Sequence, residues 1–259
     1  MTIASVDDYF ASVKQVLELQ RSGSRTTIAT DWYTGFDLAG QPGAGSLTPS
    51  ANTGVEPDDT LTGAPAINSF AGGATGYLTR VAFSCSVACR LALFDRLFYS
   101  GGFNSNGTVT QTGGDYSDRL PGSDASGIEL WLECAVAGTP GTLTVTYTNS
   151  LGVSGHTAVL TPGVMTVGRC IQFPLQAGDA GVQSVQSVQT ASHTSGTYNI
   201  MALRPLWQSY VPITNGGDIH DQFKTGAPQV FDTSSLLLLH APTSTTIGIT
   251  EMSIEIASK

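Results

Sequence analysis

The residues best suited to chemistry are acids in two loops, with Glu56, Asp58 and Asp59 in one and Asp115, Asp118 and Asp124 in the other. Two carboxylates facing across a cleft can hydrolyse a glycoside, one as acid and the other as base or nucleophile. Sequence spacing does not set their separation in space, and solvated turn acids are the simpler account of both clusters. The Asp115 loop is also oxygen-rich, as calcium sites are, but its spacing matches no known calcium loop. His156, His193, His220 and His240 are isolated, so no zinc pattern forms with Cys85, Cys89, Cys134 and Cys170. No metal or other cofactor is expected.

The other common signatures of catalysis are missing. The chain has no G-x-x-x-x-G-K-[ST] phosphate loop, no H-E-x-x-H zinc helix and no G-x-S-x-G nucleophile elbow. Its glycine-rich stretches do not open helices after strands, as a dinucleotide site requires. An exposed aromatic platform is the remaining route to ligand binding, here to a glycan. Trp131 leads that reading because it points away from the apolar side of its strand, with Tyr116 and Trp207 as partners; burial under another layer is the competing account.

These groups would be carried on strands. From Tyr77 to Leu93, apolar residues fall at every second position apart from Thr79, which is a strand period. On one continuous strand Cys85 and Cys89 would stand roughly 13 Å apart, too far for a disulfide, so the cysteines are expected as buried free thiols. Residues 128–136 place Ile128, Leu130, Leu132, Cys134 and Val136 on one side and Glu129, Trp131 and Glu133 on the other, predicting one wet face. TLTVTYTN and HTAVLTP would extend that strand into a three-strand meander. VQSVQSVQT is too short for a solenoid and reads as a strand running into a loop. SSLLLLHA reads as a strand buried on both faces, and a change of apolar parity between Ile249 and Met252 suggests a bulge near Thr250 and Glu251.

Residues 5–22 predict the main helix, with Ser5 as its cap, Asp7 and Asp8 in its first turn, Arg21 in its last and Gly23 beyond. Ile3, Val6, Phe10, Val13 and Leu17 would form one apolar stripe, for the protein's own sheet or for a neighbouring subunit. The stretch 31–75 is rich in Gly and Pro, and its length suits an ordered loop that crosses a subunit boundary. Trp32, Tyr33 and Phe36 would anchor its start. The expected organisation is a helical arm (1–24), a loop-rich bridging segment (25–75) and a β-sandwich domain (76–259).

Composition narrows the partners. Only 12% of the 259 residues are charged and the net charge is −9, with eleven scattered basic residues, which opposes nucleic-acid binding. No apolar run is long enough to span a membrane as a helix, and MTIASVDDYF lacks the features of a secretion signal, so synthesis in a cytoplasm is expected. A weakly charged polar surface suits contact with other protein subunits as well as with water.

Three phrases, GYLTRVAFSCSVACRLALFDRLFYSGGF, LTVTYTNSLGVSGHTAVL and GDAGVQSVQSVQTASHTSGTYNIMALRPL, resemble the virion structural proteins of tailed bacteriophages. The resemblance covers much of residues 76–205 and rests on style and phrase order, without a diagnostic motif. It implies an all-β fold, a jelly-roll-like β-sandwich, in a head decoration, cement or minor capsid protein. It also implies capsid or other virion proteins as partners, a homo-oligomer with a trimer favoured, a virion location and synthesis in the host cytoplasm. Alternatives are a tail or collar structural protein and a carbohydrate-binding module of a tail spike or adhesin.

Overall fold

A computed structural model describes residues 5–259, and the fold is all-β. Helix α1 (Val6–Ala11) leads into β1 (Val13–Arg21), β2 (Trp32–Thr34) and β3 (Gly40–Gln41). After a long irregular stretch come β4 (Gly76–Cys85), β5 (Cys89–Phe103) and β6 (Gly107–Thr110). They are followed by β7 (Glu129–Val136), β8 (Thr142–Asn149), β9 (His156–Leu160) and β10 (Arg169–Gln172). The chain ends with β11 (Val182–Ala191), β12 (Thr197–Val211), β13 (Gly216–His220), α2 (Gln222–Thr225), β14 (Gln229–Val230), β15 (Leu236–Pro242) and β16 (Thr250–Ser258). No helix among the described residues is long and apolar enough to cross a membrane.

Three antiparallel layers result. A closed barrel runs β10-β2-β15-β5-β12-β7, one flanking sheet runs β13-β4-β16-β1-β3 with β14 also on β4, and the other runs β6-β11-β8-β9. Strand alternation divides the core among them. On β15, Leu237 and Leu239 pack inside the barrel while Leu236 and Leu238 pack against the β4 sheet, so this strand is buried on both faces as expected. The long strands β5 and β12 serve both interfaces. Register shifts around Leu97 and Leu206 put neighbours Leu97 and Phe98 into the core under the β8 sheet, and Leu206 and Trp207 into the core under the β4 sheet.

Several sequence expectations change here. The helix ends at Ala11, and Val13–Arg21 is a strand paired along its whole length with β16. Leu17, Leu19 and Arg21 are buried at every second position, so burial in the β4 sheet core overrides the helical spacing that also fits these residues. Ile3 lies outside the described residues. The stretch from Gly76 to Phe98 is two strands broken at residues 86–88, so Cys85 and Cys89 do not share a strand. Thr79 is an extra residue opposite β16, where Glu255 pairs with Arg80 and Ile256 with Leu78. The bulge therefore lies there; at Thr250 the strand simply begins.

The β7 strand belongs to the barrel, whereas β8 and β9 form a hairpin in another sheet, so the three do not make a meander. The repeat VQSVQSVQT is strand throughout. Its three valines, Val182, Val185 and Val188, all enter the core because two register shifts each insert a residue, turning a period of two into three.

Candidate functional site

The two acidic loops meet at Arg119. Its guanidinium donates to Asp95, to the Pro57 carbonyl and to the Arg96 carbonyl at 3.2 Å, and it lies 3.5 Å from Glu56. Burial pushes the Glu56 carboxyl upward in pKa, partly offset by Arg119. Four of the remaining acids stabilise their own loops. Asp58 accepts from the Thr60 N–H at 3.0 Å, Asp59 from the Ile67 N–H at 3.0 Å, and Asp115 from the Ser117 N–H at 3.0 Å. Asp124 accepts from the Ser126 N–H at 2.8 Å, and that bond lowers its pKa. Among the described residues no group of three His, Cys, Asp or Glu side chains is arranged to hold a metal.

The glycan platform is not on the surface. Trp131, Tyr116 and Trp207 are all buried. Trp131 points into the barrel, edge-on to Trp32 at 6.2 Å and Phe94 at 5.9 Å, and its indole N–H donates to Glu129 at 2.7 Å. The wet face predicted for β7 is therefore barrel interior, because closing the sheet gives that strand a second dry side.

Sequence reasoning missed the polar centre of the barrel, formed by Arg96, Tyr99, Glu133 and Asn199. Glu133 accepts from the Tyr99 hydroxyl at 2.7 Å and the Asn199 amide at 2.9 Å. Burial raises its pKa, against the opposing pull of Arg96. The Arg96 guanidinium stacks on the Phe36 ring at 4.4 Å and the Tyr99 ring at 4.5 Å, and has no hydrogen-bond partner among the described residues. A buried cation held by two ring faces and a nearby carboxylate is a structural centre. Period-two alternation placed Glu133 and Trp131 on one face; nothing in the sequence showed that this face closes on itself.

The interface residues proposed from sequence divide into two sets. Leu17, Tyr33 and Phe36 are core residues, and Trp32 is half-buried against the barrel core. The loop segment likewise packs on its own chain. Leu47 and Ala64 enter the barrel core, Ile67 enters the β4 sheet core, and Val55 bridges to Tyr99. Val6, Phe10 and Val13 remain outside, at 57%, 73% and 69% exposure.

Helix α1 buries none of its residues. Polar contacts fix it: Ser5 caps the Asp8 N–H at 3.1 Å, the Tyr9 hydroxyl donates to Glu255 at 2.7 Å, and Lys259 pairs with Asp8. Burial and the Glu255 bond push the Tyr9 hydroxyl up to about 12. Between α1 and α2 runs a groove of roughly 420 Å³, lined by Val6, Tyr9, Tyr77, Thr79, Phe223 and Ala227. Phe223 is 81% exposed. A rigidly held patch that leaves a valine and a phenylalanine in water is the type of surface that another protein covers.

No family model matches the chain, and no curated protein matches it. Among solved structures it is similar to that of infectious bursal disease virus Gt strain, at 8% identity and a TM-score of 0.19, over 95% of this chain and 81% of that one. The infectious bursal virus derived T=1 particles give 9% identity and a TM-score of 0.19, over 95% and 78%. The VP2 subviral particle of infectious bursal disease virus gives 8% and 0.18, over 95% and 80%.

Proposed function

We propose that this chain is a non-enzymatic structural component of a phage particle, decorating or cementing the capsid through subunit-bridging contacts. The carrying observation is the α1–α2 patch, where Val6, Phe10 and Phe223 project from elements pinned by polar contacts while the acidic loops are tied into internal bonds. The resemblance of three sequence phrases to phage virion proteins gives the assembly. The low share of charged residues, 12%, suits surfaces that meet protein neighbours. Many copies on a lattice make weak patches effective, because geometry raises the local concentration of each contact.

The test is hydrogen exchange on the free chain and on intact particles carrying it, together with its position in a map of the particle. Slower exchange of residues 6–11 and 222–225 on the capsid supports the reading. Equal exchange in the two states, or a position in the collar or tail, overturns capsid cementing.

A further inference from the structure

The break between β4 and β5 has a chemical result. Cys85 closes a strand of one layer, opposite Thr250 and Gly216, while Cys89 opens a strand of the next, opposite Val211 and Pro242. Three residues turn the chain between them, and both side chains enter the same buried core, where each thiol perturbs the other. Thr250 Oγ1 donates to Cys85 Sγ at 3.4 Å, and His240 Nε2 lies 2.9 Å from that Oγ1. Cys134 and Cys170 instead donate to backbone carbonyls, of Val136 and Gly168.

We propose that Cys85 and Cys89 are a redox-active dithiol that closes to an intrachain disulfide on exposure to a small peroxide, stapling the barrel to the β4 sheet at their shared corner. This inference is independent of where the protein acts. The pair's chemistry fits it. The neighbouring Cys89 thiol and the Thr250 hydroxyl lower Cys85 against the effect of burial, which marks it as the thiolate partner. The same contact and burial raise Cys89, which keeps its proton. Cys134 and Cys170 are both raised by burial and remain thiols.

Both sulfurs are buried, and the turn 86–88 and Gly248, which lies beside Cys85, are half-exposed. A Cβ added at Gly248 would lie 3.3 Å from Cys85 Sγ and 2.6 Å from the Val87 side chain, so a side chain there would crowd both. In the reaction, the Cys85 thiolate gives an electron pair to one peroxide oxygen and the O–O bond breaks, leaving a sulfenic acid and a hydroxide that takes from solvent the proton Cys85 had released, forming water. Cys89 sulfur then attacks Cys85 sulfur, the hydroxyl leaves as a second water with the Cys89 proton, and the S–S bond forms. Two thiols are oxidised by two electrons, and one peroxide is reduced to two waters.

The test uses the full chain, folded, treated with hydrogen peroxide at pH 7, then denatured, alkylated and peptide-mapped. The expected result is loss of two of the four alkylatable thiols, with a Cys85–Cys89 link that dithiothreitol reverses. Cys89→Ser should give no link and an oxygen adduct on Cys85. Retention of all four thiols in the folded wild-type chain, or oxidation of Cys134 and Cys170 at the same rate as the pair, would overturn the proposal without touching the assembly role. The wild-type map decides the matter if the variant does not fold.

Discussion

Asp95 on β5 and Arg204 on β12 stand directly opposite each other in the barrel wall, and their side chains meet at 2.9 Å. Asp95 is fully buried and also accepts from Arg119, the Ser234 hydroxyl at 2.8 Å and the Ser235 N–H at 3.1 Å. One carboxylate thus joins both long strands, the acidic loops and the entry to β15. Asp95→Asn removes the counter-charge that the buried guanidiniums of Arg204 and Arg119 share, leaving Arg119 only the more distant Glu56. It should cost about 3–5 kcal/mol, read as a lower urea midpoint with an unchanged slope.

Truncation separates the arm from the sheet. Removing residues 1–11 takes away a helix with no fully buried residue, so the remaining chain should keep its near-ultraviolet circular dichroism and cooperative melting. Removing residues 1–21 also deletes β1, which fills the space between β16 and β3 with Leu17 and Leu19 in the core. That chain should fail to fold cooperatively. A folded product of the longer deletion would contradict the strand assignment.

Phe10→Ser and Phe223→Ser should change the stability of the free chain by no more than about 0.5 kcal/mol, since both rings already face water. If the α1–α2 patch is the bridging surface, the double variant should occupy fewer sites on particles in a sedimentation assay. Unchanged occupancy would argue against this patch.

Trp131→Ala should act on stability alone. The ring is packed between Trp32 and Phe94, so its loss should cost about 3–5 kcal/mol, measured by denaturant titration. Glycan-array binding by the wild-type chain that the folded variant lacks would restore the sugar-binding alternative.

Acid should weaken the fold through His240. Burial, with Arg21 and Arg25 nearby, lowers its pKa to about 3 from an ordinary 6.5. Between those values the unfolded chain binds a proton that the folded chain refuses, so stability falls as pH drops from 6.5 towards 3. Half-buried Glu129 and buried Glu133, whose pKa values are raised, act in the opposite sense, because the folded state holds their protons more tightly. The difference between wild type and His240→Gln isolates the histidine. Urea midpoints from pH 7 to pH 4 should fall less steeply in the variant.

The sequence by itself determined several of the strands after residue 76 and the double burial of one of them. Four consecutive leucines from Leu236 to Leu239 had to be covered on both sides, and the cysteines were buried thiols, because apolar side chains without a polar alternation need two dry neighbours. Only the tertiary structure decided which layer supplied each cover. Trp131 and Glu133 turned inward because the sheet closed, Val13–Arg21 became a strand because β16 lay beside it, and Cys85 and Cys89 fell in different layers because the chain broke at residues 86–88. Alternation is a local property of the chain, whereas strand pairing joins residues hundreds of positions apart, and the free energy that selects a partner exists only once both surfaces are present.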